Sequence, residues 1–372
     1  MKIINVTLTL FPWKGLEEAE DAAYKKELTG SISLGLLRIY TDEGIEGHAF
    51  LGSSVYSAEQ DGASLIASLK PVLMGKDPLM RESLYKELIS WQRLRNTTFR
   101  AVGAVDIALW DIAGKAAGMP IYRLIGGSRE QIAAYASSQV LPDIETYVDE
   151  VKRYQDMNWK AYKIHPPVRD YREDIRICEA VREAAGDGYA LMLDSMWAYS
   201  YPQAVTVGRE LERLSYEWFE DPLPEHDLYN YSKLCEQLDI PVMATEYPGG
   251  DLKSYTPWLM AKATDKLRGD VAVKGGITAL IKAAALAEAF GMEYEIHHGA
   301  NSLNNVANLH VALAVGNCSY FEVMLPDINQ KYGMTEEIVV DEMGMVNAPE
   351  GSGLGMAIDM ERILHDKTAV LE

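Results

Sequence analysis

Three carboxylates are the residues best suited to chemistry in this chain. Asp194, Glu220 and Glu246 stand near the ends of the runs YALMLDS, YEWFEDP and PVMATEY. Acids brought together repel one another and are costly to bury unless a cation neutralises them. An all-oxygen set with room for water and substrate suits Mg2+, with Mn2+ as a close substitute. The run before them, KAYKIH, carries Lys163 and His165 two residues apart, so strand alternation points both to one side. Beyond them, LRGDVAV carries Asp270, EYEIHHG carries His297 and His298, and YFEVML carries Glu322. A carboxylate beside an imidazole holds its orientation and raises its basicity. The chemistry these residues suggest is proton transfer from two opposite walls, with a divalent cation between them.

Such residues must be brought together by their elements. From about residue 126 onward, β-rich runs alternate with amphipathic helical segments. The run ends Ser138, His165, Asp194, Glu220, Glu246, Asp270, His297 and Glu322 recur roughly every 24–29 positions, the length of one βα unit. Eight such strands predict an α/β architecture, a (β/α)7β TIM-type barrel over residues 126–326, whose strand C-termini converge on one face. Residues 1–125 predict an α+β capping domain. Strands over 1–10 and 31–50 include a hairpin turning at Asp42-Glu43-Gly44, and helical spacing over about 57–118 stops at Gly118 and Pro120. Residues 327–372 read as a tail, loop-rich around Pro349, Gly351, Gly353 and Gly355.

Composition bounds the alternatives. The 372 residues suffice for a large buried core, and the formal net charge of −20 argues against nucleic acid or an anionic membrane as partner. An anionic substrate is compatible with that charge, because a bound cation reverses the field inside a pocket. No apolar run approaches the length that a membrane span requires. The opening MKIINVTLTLFPWKG alternates like a strand and lacks the pattern of a signal peptide. Cys178, Cys235 and Cys318 are odd in number and widely spaced, which points to a reducing cytoplasm.

Across nearly its whole length the chain resembles the enolase superfamily, in its mandelate racemase-like branch. LMLDS, WFEDP and ATEYP resemble that family's metal-ligand segments, which implies Mg2+ at Asp194, Glu220 and Glu246. GDVAVKGGIT and FGMEYEIHHG resemble the segments of the Asp–His dyad, hence Asp270 and His297. YFEVMLP resembles the segment whose glutamate meets the substrate carboxylate, hence Glu322. The chain departs from the family at three positions. Lys163-Ile164-His165 stands where Lys-x-Lys is common, and Met196 where Asn is frequent. Lys274 lies one residue past the catalytic lysine of the muconate cycloisomerase branch.

The resemblance implies removal of the proton α to a carboxylate, an enediolate stabilised by the dication. It favours dehydration of a sugar acid to a 2-keto-3-deoxy acid. The alternatives are racemisation or epimerisation of a 2-hydroxy acid, and a cycloisomerase using Lys163 and Lys274. Lys163 is expected as a cation facing the carboxylate, Glu322 as a donor to its other oxygen if protonated, and His165 or His297 as the base. A homo-oligomer follows by family habit. Substrate contacts are expected from His298 and from Trp13 and His48 of the cap, with Lys14 beside them. His310 is expected as a buried hydrogen-bonder, and LEEAEDAAYKKE as a solvated face or lid.

Overall fold

The computed structural model describes residues 1–13, 32–53, 56–247 and 249–372. Lys14 and LEEAEDAAYKKE lie outside the described residues. The cap is built on β1 (Ile3–Pro12), β2 (Ser33–Thr41) and β3 (Glu46–Leu51), joined antiparallel. Alternation of large apolar residues buries Val6, Leu8 and Leu10 of β1 against the cap helices. The β2–β3 turn closes with Gly44 at φ 79° and Thr41 N–H donating to Ile45 O. The helix Phe99–Ala117 starts on a Thr98 cap, whose hydroxyl accepts from Ala101 N–H, and ends at Gly118 with φ 66°. It lies so close to β3 that a Cβ at Gly47 would collide with the Ala108 backbone.

The barrel follows. Its strands are β4 (Gln131–Ser137), β5 (Ala161–Ile164), β6 (Ala190–Asp194), β7 (Trp218–Glu220), β8 (Val242–Ala244), β9 (Lys266–Gly269), β10 (Tyr294–Ile296) and β11 (Tyr320–Met324). Each pairs in parallel with the next, and β11 closes on β4 from Tyr320↔Ala133 to Met324↔Ser137. Seven connections, all helical, carry the chain between strands, as the spacing of the strand ends predicts. The N-terminal half of the barrel is plugged by Tyr135, Met192, Trp218 and Met243, with Tyr135 and Trp218 edge to face at 5.9 Å. A packed floor leaves the C-terminal strand ends as the open face.

The tail serves both parts. β12 (Met345–Asn347) pairs antiparallel with the first half of β4, and β13 (Ala369–Leu371) adds to β1 of the cap. Cap and barrel are also locked through Asp106, whose carboxylate accepts from Thr278 N–H at 2.8 Å and Thr278 Oγ1 at 2.6 Å. Cys178, Cys235 and Cys318 are free thiols. No helix among the described residues is long and apolar enough to cross a membrane. His310 is buried as expected, accepting from Tyr122 N–H and facing Leu354 O at 2.9 Å.

Candidate active site

Asp270 and His297 follow directly on adjacent strands β9 and β10. His297 N–H donates to Gly269 O, which sets the ring beside the Asp270 carboxylate. His297 Nδ1 lies 2.9 Å from Asp270 Oδ2. Asp270 also accepts from Asn308 Nδ2 at 3.0 Å and Ala272 N–H at 2.8 Å. Burial works to raise the Asp270 carboxyl, but these bonds, led by that from His297, hold it below its usual range. With Nδ1–H given to Asp270, His297 presents Nε2 to a cavity of about 420 Å3. Burial disfavours its charge, yet the field of Glu246, the Asp270 bond and Glu322 raise the imidazole to about 9. Nε2 stands 3.5 Å from Glu246 Oε1, and Gly299 leaves space beside it: a Cβ there would stand 3.1 Å from His297 Cε1 and 3.3 Å from Nε2.

The opposite wall is a buried ionic network. Lys163 Nζ lies 3.0 Å from Glu220 Oε1, 2.7 Å from Glu322 Oε1 and 3.7 Å from Asp194 Oδ2. Arg268 reaches Glu220 at 2.8 Å and Glu322 at 2.6 Å, and stands 3.5 Å from Glu246. His165 Nδ1 faces Ser138 O at 2.7 Å and Nε2 faces Asp194 Oδ2 at 3.0 Å. Both ring nitrogens therefore face oxygen acceptors.

Several expectations are corrected. Glu322 is not a protonated donor. Burial pushes its carboxyl upward, but Arg268 and Lys163 outweigh that and hold it well below the usual range. Its Oε2 accepts from Arg268 and from His298 N–H at 3.0 Å, and its Oε1 faces Lys163. The His298 side chain makes no approach to the cavity; it is buried, with its ring centroid 4.0 Å from that of Phe321, and burial lowers it to about 3. Trp13 is buried, packed into the main apolar core, and does not line the cavity. His48 sits on the cap beside Lys115 and Asp111, at 3.1 Å and 3.6 Å, away from the cavity. Lys274 is buried under the Tyr255 ring, near Ser254, and desolvation lowers its amine to about 7.

Other residues escaped the sequence reading. Arg268 is two residues before Asp270, a strand charge directed inward by alternation, and that spacing was the available signal. Asp221 follows Glu220 and is buried, with Oδ2 lacking a hydrogen-bond partner. The turn after Asp194 places Met196 and Trp197 at φ 51° and 61°, with Met196 N–H donating to Asp194 Oδ1. That turn brings the Trp197 ring into the cavity, edge to face with Tyr247 at 5.5 Å. Tyr56 is the cap's described contribution to this cavity.

The carboxylates meet cationic side chains instead of converging on one another. Among the described residues no group of three or more His, Cys, Asp or Glu is arranged to hold a metal ion. The chemistry of the donor set nevertheless fits a hard dication. Asp194, Glu220 and Glu246 come from three adjacent strand ends and offer oxygen only, and Glu246 faces the cavity. Burial raises Glu220 to about 7 against the pull of Arg268 and Lys163. Burial and the charges of Glu246, Asp194 and Glu220 drive Asp221 well above its usual range. Negative charge is in excess there, and a cation would relieve it.

Comparison with known proteins places this geometry in a family. Residues 27–126 match the mandelate racemase/muconate lactonizing enzyme N-terminal domain, and residues 146–362 match the enolase C-terminal domain-like family. The chain is 29% identical over 361 residues to an arabinonate dehydratase of Saccharolobus solfataricus, covering 93% of this chain and 94% of that one. It is 28% identical to a D-galactarolactone cycloisomerase of Agrobacterium fabrum, covering 88% and 89%. The structure of a D-glucarate dehydratase from Agrobacterium tumefaciens complexed with magnesium superposes with a TM-score of 0.87 at 32% identity, covering 99% and 100%. Both domain matches and both halves of the fold agree: the chain belongs to the mandelate racemase/muconate lactonizing enzyme family of the enolase superfamily.

Proposed function

We propose that this protein is a Mg2+-dependent sugar-acid dehydratase, which removes the proton α to a carboxylate and expels the 3-hydroxyl to give a 2-keto-3-deoxy acid. The observation that carries the reading is the Asp270–His297 pair on the cavity wall, with Nε2 on the Glu246 side and the imidazole raised to about 9. Charged at neutral pH, that ring can give the Nε2 proton to a departing hydroxyl. The dehydratases among its relatives support the same outcome.

Asp194, Glu220 and Glu246 would hold Mg2+, which when bound supplies a positive charge for the oxygens of the substrate carboxylate as the α-carbon loses its proton. Lys163 adds a second positive charge on that side. His165, in its neutral form with the proton on Nδ1 directed at Ser138 O, takes the C2 proton on Nε2. Hydroxyl and the His297 proton leave as water, and the enol becomes the keto acid. Mn2+ is a substitute on the same oxygens, and the free thiols fit a cytoplasmic setting.

Imidazoles on two walls also favour a second reading, proton removal and return at C2. A panel of sugar acids with Mg2+ decides between them. Release of 2-keto acid supports dehydration, and C2 deuterium exchange from D2O without water loss assigns epimerisation. Absence of both across the panel overturns the proposal.

A further inference from the structure

The His297 end of the cavity accounts for the reacting carbons, but the cavity continues past them. Besides His297 and Glu246, its lining combines Trp197 and Tyr247 with the amides of Gln139, Asn329 and Gln330, and with Glu225. No Lys or Arg stands among its described lining residues. Arg100 approaches from the adjoining cavity, which shares Tyr56 and His297, but Asp61 holds it at 2.5 Å and 3.3 Å while it lies over the Tyr56 ring. Its charge is already committed.

The polar groups left open are neutral. Trp197 Nε1 and Asn329 Oδ1 are buried without a hydrogen-bond partner, and Asn329 is 9% exposed. Gln330 gives its oxygen to Asn305, and its amide nitrogen lies on the Gly299 side of the cavity. An indole N–H and carboxamides pair well with hydroxyl groups, which both donate and accept. A carboxylate is all acceptor, carries charge, and loses solvation here without gaining a Lys or Arg from the described lining. Glu225, about 41% exposed and 3.7 Å from His226 Nδ1, adds like-charge repulsion, and the net charge of −20 acts in the same sense.

We infer that the distal part of this cavity is built for the neutral, hydroxylated end of a sugar acid with a single carboxylate, an aldonate, and discriminates against the dicarboxylate aldarates. The inference rests on the sugar-acid reading of the same site. Family membership leaves it open, since the relatives' names include both an arabinonate and a D-glucarate dehydratase.

The test is calorimetric binding of stereochemically matched pairs to the Mg2+-loaded protein, with turnover followed in the same panel. D-galactonate with galactarate, D-gluconate with D-glucarate, and D-xylonate with xylarate are suitable pairs. In any pair that binds, the aldonate should bind at least about tenfold more tightly. Glu225→Lys, at an exposed position, should shift that ratio toward the aldarate by about tenfold or more. An aldarate that binds as tightly as its aldonate overturns the inference, as does an unchanged ratio in Glu225→Lys or no binding by either class. Selective aldonate binding without turnover upholds the inference and sinks the dehydratase reading. Turnover that favours aldarates does the reverse.

Discussion

Arg268 Nη2 stands 2.6 Å from Glu322 Oε2 inside the barrel, and neither side chain has measurable exposure. The same guanidinium holds Glu220, so one cation joins the substrate-side acid to a proposed metal ligand. Removing one partner of such a network strands buried charge, at a cost of about 3–5 kcal/mol. Arg268→Met should lower unfolding free energy by that amount in chemical denaturation, with Arg268→Lys recovering part. A loss below about 1 kcal/mol for Arg268→Met would show that the network is dispensable.

The His297 charge has a testable sign. Its raised value means that it binds its proton more tightly folded than unfolded, so this contribution to stability is full below its ordinary 6.5 and is lost as pH climbs through about 9. Ring NMR of the metal-free protein should show one histidine titrating near 9. Asp270→Asn should move that midpoint down. As the proton donor, His297 should give a rate that declines through the same pH range. His297→Asn should lower kcat by about 100-fold to 10,000-fold. An unaltered rate would remove the dyad from the mechanism.

Gly299→Ala tests access to Nε2. The new Cβ would press on His297 Cε1 and Nε2 at 3.1 Å and 3.3 Å. The thermal midpoint should change little while kcat/KM falls about 100-fold, the scale of an ångström's misplacement at a reacting centre. Wild-type kinetics in this variant would mean that the ring is approached from elsewhere.

Metal removal should expose the crowding of acids. Because burial raises Glu220 from 4.5 to about 7, its contribution favours the fold below 4.5 and is lost as pH rises through about 7. Chelated protein should therefore weaken across that interval. Mg2+ at 100 times its Kd should restore about 2.7 kcal/mol, and Asp194→Asn should abolish the restoration. Chelation should also halt C2 exchange.

The cap–barrel contact can be broken apart from the chemistry. Asp106→Ala leaves Thr278 N–H and Oγ1 without their buried acceptor. Unfolding free energy should fall by about 1–3 kcal/mol. A neutral result would show that water replaces the carboxylate.

The barrel was legible because its evidence is local. Period-two runs such as YALMLDS, separated by helical stretches of nearly constant length, predict strands and crossovers without knowledge of their neighbours. Asp270 and His297 were legible for the same reason, since consecutive strands of a barrel lie side by side. Trp13 and His48 were misplaced because a position in the cap says nothing about which cap face meets the barrel mouth.

Residue order thus determined which side chains occupy the strand ends and which of them lie on adjacent strands. Tertiary structure decided their partners. Glu322 is an ion-paired carboxylate because Arg268, 54 residues away, crosses the interior to meet it. His298 is sealed against Phe321 of the neighbouring strand, a ring contact that strand order alone does not specify. Local alternation fixes a side chain's direction, whereas charge state depends on burial and on contacts across the barrel, and these exist only once the sheet has closed.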